Sequence, residues 1–162
     1  MVRTLILGVG NPVLSDDRVG LVIAEKLQQE PLQAQTGVEI VVDIATQAGL
    51  EFAEKLVGFD GAIVVDSIKT GEYAVGTVRE IGMDDLESTT SLVTSHGISF
   101  KSAVEFGRTI GLDMPDDDNI RIFTVEIADN LTVSEEMHPD VAAAVDVVIE
   151  KMRSIVEESG LP

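Results

Sequence analysis

The sequence predicts an α/β fold: a three-layer sandwich around a mostly parallel sheet of about five strands, with one antiparallel edge strand. Three observations carry this. Short β-branched apolar runs recur along the chain, each four to six residues long and bounded by Gly, Pro or Asp. Segments with apolar residues at helical spacing alternate with them, which is the pattern of right-handed strand–helix–strand crossovers. One strand-like run follows a glycine-bounded turn and has no helix before it, as in a hairpin added at a sheet edge.

Taken in order, Thr4–Leu7 is an apolar run ending at Gly8 and reads as a buried strand. Val19–Gln28 places Val19, Val22, Ile23 and Leu27 on one helical face. Pro31 and Gly37 interrupt it, and Val38–Val42 is a second strand. Leu50–Val57 is a second helix with Gly58 placed to end it. Ala62–Val65 is a third buried strand, and Asp66 follows it directly. Gly71–Gly76 reads as a turn and Thr77–Ile81 as the antiparallel edge strand, with a short helix over Met83–Glu87. Ser99–Ile110 is a helix ending at Gly111, Asp113–Asn119 an acidic loop, and Ile120–Val125 the last strand. A long helix is expected from Ser134 to about Ser159, followed by Gly160. With no linker or repeat, residues 1–162 read as a single domain.

Composition narrows the function classes. The chain has 29 Asp and Glu against 11 Lys and Arg, a net charge of −18, so nucleic acid and anionic membranes are unfavourable partners. One Tyr, five Phe and no Trp offer little for base stacking. No cysteine is present, which removes disulfides, thiolate metal sites and a thiol nucleophile. The first residues, Met1-Val2-Arg3-Thr4, lack the charged flank and apolar stretch of a signal peptide, so a cytoplasmic location is expected.

In sheets of this kind, ligands bind beyond the carboxyl ends of the strands. The first strand exits into Gly8-Val9-Gly10-Asn11-Pro12, reaching Ser15-Asp16-Asp17-Arg18. A dinucleotide-binding reading is weak there. The third glycine of the fingerprint falls on Val13, and two adjacent carboxylates repel a pyrophosphate. Ser15 or Asp16 is expected to cap the first helix, which accounts for one of the two acids. Asp66 sits at the end of the central strand. His96, in Thr94-Ser95-His96-Gly97, is one of two histidines; His138 lies before Pro139 and reads as a surface residue near a helix start. One carboxylate of the first loop, Asp66 and His96 make an oxygen–nitrogen ligand set with open positions, suited to zinc or nickel. A serine triad through Ser95 or Ser67 is disfavoured, because no G-x-S-x-G turn is present and Ser95 adjoins His96.

These segments resemble one family, the hydrogenase maturation proteases. Gly8-Val9-Gly10-Asn11, Asp16-Asp17, Gly20, Val64-Val65-Asp66-Ser67, Thr94-Ser95-His96, Val125-Glu126-Ile127-Ala128-Asp129 and Pro139-Asp140-Val141 match its motifs in order, over nearly the whole chain. The resemblance implies an endopeptidase that removes a C-terminal peptide from the nickel-loaded large-subunit precursor of a nickel–iron hydrogenase. It implies that Asp17, Asp66 and His96 are the catalytic and nickel-recognising residues. The nickel arrives with the substrate rather than as a resident cofactor. The precursor is the expected partner, and a monomer suffices. A non-catalytic metal-binding or chaperone domain for hydrogenase assembly is the alternative. Arg18 stands where many members have glycine, and Ile44-Ala45-Thr46-Gln47-Ala48-Gly49 matches a family loop loosely. A guanidinium beside Asp17 is placed to pair with a carboxylate, to reach a substrate C-terminus, or to lie in solvent; the last is the reading favoured.

Overall fold

A computed structural model describes residues 1–46, 50–88 and 100–158. A five-stranded sheet has the order β2-β1-β3-β5-β4. Its strands are β1 (Val2–Val9), β2 (Val38–Ala45), β3 (Gly61–Ile68), β4 (Val78–Ile81) and β5 (Ile120–Glu126). All neighbours pair in parallel except β4, which runs antiparallel to β5 at the edge. The helices are α1 (Val19–Gln29), α2 (Leu50–Leu56), α3 (Phe100–Thr109) and α4 (Pro139–Glu158). The three-layer architecture and the antiparallel edge agree with the sequence reading. No helix among the described residues is long and apolar enough to cross a membrane.

The layers follow from the strand period of two. One core, between the sheet and α1 and α4, contains Ile6, Ile63, Val65, Phe123 and Val125. Against it α4 presents Val141, Ala144, Val145, Val148, Met152 and Val156, spaced at helical intervals. The other core, under α2 and α3, contains Leu5, Leu7, Ala62, Val64, Ile120 and Ile122, with Phe52 and Phe100 edge-on at 5.4 Å. Every residue of β3 is buried, as a central parallel strand covered on both faces requires.

The order of strands places the crevice. From β1 the chain moves to one side, to β2, and then crosses back to β3 on the other. The reversal between β1 and β3 is the point at which such sheets open a binding cleft. Glycines set how closely α1 approaches it. A Cβ built on Gly20 would lie 2.3 Å from the Val9 carbonyl oxygen and 2.5 Å from that of Val65; one on Gly8 would lie 2.2 Å from the Gly20 carbonyl oxygen. The glycines of the first loop therefore serve helix–sheet contact rather than a phosphate.

Three boundaries differ from expectation. β3 continues through Asp66 to Ile68, so Asp66 lies within the strand and not after it. The last helix begins at Pro139 rather than Ser134; proline suits a first helical position, where its missing N–H costs nothing. Acidic residues 116–119 include a short 3-10 turn, Asp117–Asn119, with Asp117 paired to Arg108 at 2.7 Å.

Candidate active site at the β1–β3 crevice

After β1 the chain folds back on itself. The Asn11 N–H donates to the Asp17 carbonyl oxygen at 3.3 Å, and a Cβ on Gly10 would meet that same oxygen at 2.2 Å. The chain then makes one 3-10 turn, Asp16–Arg18, before α1. This places the two adjacent aspartates differently. Asp16 is 3% exposed, and its Oδ1 accepts the backbone N–H of His138 at 2.7 Å. Asp17 faces the crevice, where its Oδ1 accepts the Ser67 hydroxyl proton at 2.5 Å.

Asp66 is 7% exposed, and its Oδ1 accepts the Ser67 backbone N–H at 2.7 Å. Ser67 therefore joins the two candidate acids, one through its N–H and the other through its hydroxyl. Burial pushes the Asp66 carboxyl well above the ordinary carboxylate range, and the Asp17 charge pushes it further; the Ser67 N–H opposes both. Asp17 is also raised by burial, against hydrogen bonds from Ser67 and the Asn11 backbone. Two neighbouring carboxyls, both destabilised as anions and facing one cleft, form a place prepared for a cation or a proton.

The expected site is thus brought together in two of its three members. His96, with Thr94, Ser95, Gln47, Ala48 and Gly49, lies outside the described residues. Among the described residues no group of three or more His, Asp or Glu side chains could hold a metal ion. Asp17 and Asp66 supply two oxygen donors.

The capping expectation is corrected. Neither Ser15 nor Asp16 makes a side-chain bond to the helix it precedes. Both reach across the molecule to the segment before α4. The Ser15 N–H donates to the Thr132 carbonyl, its hydroxyl donates to the Glu136 carbonyl at 2.7 Å, and Leu14 bridges Val133. His138 keeps an exposed ring, as read, but its N–H is the donor that Asp16 holds. Asp16→Ala should cost about 1–3 kcal/mol, the penalty for stranding a buried N–H, whereas Asp16→Asn keeps an acceptor and should be mild. Urea denaturation of the two variants compares them directly; equal losses would remove the role assigned to Asp16.

Two features escaped sequence reasoning. The sequence offers Ser67 only as a nucleophile, yet its hydroxyl donates to Asp17, and no described histidine accompanies it. Glu126, 1% exposed, accepts the Thr70 and Gly71 N–H groups and so fixes the turn beyond β3. Its position at the end of an otherwise apolar strand is the available signal. Arg18 is half-buried, and its side chain forms no ion pair or hydrogen bond among the described residues.

No family model matches the chain. It is 28% identical over 160 residues to the hydrogenase 2 maturation protease of Escherichia coli K12, covering 98% of this chain and 93% of that protein. Its fold superposes on the hydrogenase maturating endopeptidase HybD from E. coli with a TM-score of 0.76 at 26% identity, covering 98% and 94% of the two chains. The [NiFe] hydrogenase maturation protease HybD from Thermococcus kodakarensis shares the fold, with a TM-score of 0.70 over 96% and 100% of the chains at 17% identity. The family resemblance carried by the motifs is borne out in sequence and in architecture.

Proposed function

We propose that this chain, similar along nearly its whole length to the hydrogenase maturation proteases, is an endopeptidase that trims the C-terminus of a nickel–iron hydrogenase large-subunit precursor. The observation that carries the reading is the Asp17–Ser67–Asp66 linkage at the β1–β3 crevice, in a chain whose relatives are named as a hydrogenase maturation protease and a hydrogenase maturating endopeptidase.

The chemistry assigned to each residue follows from its surroundings. Asp17 and Asp66, with His96, complete the coordination of nickel that the precursor already holds. The ion is then part of the substrate, and the cut is made only once it is in place. Ser67 positions both carboxylates and keeps them from turning away. Buried carboxyls lower the cost of trading their solvation for a cation, because little solvation is left to lose. Water is the nucleophile in this reading, activated by the nickel or by a neighbouring carboxylate.

The test is incubation with a nickel-loaded precursor and with the same precursor lacking nickel, followed by mass spectrometry. A shortened product is expected only with nickel. His96→Ala and Asp17→Ala should give no detectable product while circular dichroism remains that of the wild type. Binding of the loaded precursor without cleavage would instead establish the alternative, a non-catalytic accessory domain.

A further inference from the structure

Among the described residues Arg79 alone carries a buried side-chain nitrogen with no hydrogen-bond partner: its Nη2 is closed off from solvent and bonds to nothing. Its guanidinium stacks on the Tyr73 ring, 4.2 Å from the centroid. Several other cations of the chain are paired. Arg3 pairs with Glu39, Lys55 with Asp43 and Arg121 with Glu80. In a chain with 29 acids and 11 bases, an arginine without a carboxylate is not explained by scarcity of partners. A guanidinium offers five donors in a fork that fits a carboxylate, and leaving one buried and unpaired is unfavourable.

Its position supplies the reason. Arg79 on β4 is in register with Thr124 on β5, and Thr124 is in register with Asp66 on β3. Residues in register share a sheet face, and the face is the one under α2 and α3, since Ile81 on β4 packs into that layer. Two strand spacings put the Arg79 backbone about 10 Å from that of Asp66, the reach of about three residues of extended peptide. The residue is only half-buried, and the ring stacked on it is 44% exposed. An inward-facing cation also discourages an edge strand from pairing with another chain. That role needs charge alone and accounts neither for the unpaired nitrogen nor for the row shared with Asp66.

We infer that Arg79 forms a carboxylate-binding subsite of the crevice, which holds a carboxylate of the peptide within about three residues of the bond presented to Asp17 and Asp66. The identity of the ligand as substrate peptide rests on the endopeptidase reading; the existence of the subsite does not. The carboxylate is either an acidic side chain or a free C-terminus.

Tyr73 is the only tyrosine, and tryptophan is absent, so intrinsic tyrosine fluorescence reports on the ring stacked against Arg79. The protein is titrated with N-acetylglutamate α-amide, which offers a side-chain carboxylate, with N-acetylalanine, which offers a C-terminal one, and with N-acetylglutamine amide, which offers neither. A saturable change with at least one carboxylate, absent with the neutral amide and abolished in Arg79→Met, supports the subsite, and the compound that responds identifies the source. An equal response to the neutral amide, no response, or a response that survives in Arg79→Met overturns it. Should Arg79→Met fail to fold, Arg79→Lys keeps the charge without the fork and should weaken the response about tenfold; wild-type affinity in that variant counts against the subsite. In processing, Arg79→Met should raise KM about tenfold to a hundredfold with kcat within about twofold, and an unchanged KM overturns the assignment to substrate. If the wild type itself cuts no precursor, the endopeptidase reading fails, and the titration alone decides whether the subsite exists.

Discussion

Asp66→Asn should abolish processing and at the same time make the protein more stable. The wild-type carboxyl is buried and faces the Asp17 charge, so its pKa in the folded state is held well above the ordinary value. The unfolded chain ionises it near the usual value, about 3.9. Between the two pKa values the folded state binds the extra proton, so stability falls as pH rises through that window, by about 1.4 kcal/mol for each unit separating them. Above the folded pKa the loss is complete and constant. Asparagine has no charge to bury and retains an oxygen for the Ser67 N–H. The variant should therefore gain about 1–2 kcal/mol near neutral pH, a rise in Tm of about 2–4 °C per kcal/mol, with the gain vanishing towards pH 3. Processing should fall about a hundredfold or more, beyond the effect of disturbing a residue that merely supports a metal ligand. Thermal scans at pH 3, 5 and 7 together with the precursor assay measure both. A variant less stable than wild type at pH 7 would contradict the electrostatic account of this site.

The second large effect is expected at Gly20. A methyl group there would meet the Val9 carbonyl at 2.3 Å and the Val65 carbonyl at 2.5 Å. Neither strand can yield, because β1 and β3 are paired on both sides. The helix must move instead. Overpacking of side chains commonly costs about 1–3 kcal/mol, and collision with two fixed backbone carbonyls should reach the top of that range, about 3 kcal/mol. That is a large share of the roughly 5–15 kcal/mol available to a domain. Asp17 lies three residues before Gly20, so the shift of α1 should also separate it from Ser67 and remove activity from the molecules that still fold. Denaturant midpoints for Gly20→Ala test the first effect, and activity per folded molecule tests the second. Wild-type stability would show that α1 is held less rigidly than this packing requires.

The architecture was legible because its signals are local. β-branched runs mark the four parallel strands, and Val19–Leu27 or Val141–Val156 repeat at helical spacing. What eluded the sequence depends on distant partners. Asp66 interrupts an apolar run, so β3 reads as stopping at Val65. It continues because Asp66, Ser67 and Ile68 stay paired with Thr124, Val125 and Glu126 of β5. Residues 134–138 read as helix because nothing local reveals that Ser15 and Asp16 hold them as a loop. Spacing alone gave no division of labour between Asp16 and Asp17; the family resemblance suggested one, and the structure gives Asp16 a different task from the cap expected of it. Arg79 drew no attention because Val78–Ile81 is too short for its alternation to register, and its significance lies in the row it shares across three strands.

The bonds from Leu14, Ser15 and Asp16 to residues 132–138 bear on how the enzyme comes into being. They join positions 117 to 122 apart in the sequence. The loop that carries Asp17 leaves the ribosome more than a hundred residues before the segment whose contacts fix its shape. Closures over such long separations are slow relative to local structure. The crevice is therefore completed late, after the sheet has formed, and a chain arrested before Pro139 would present the acidic loop without the clasp that orients it.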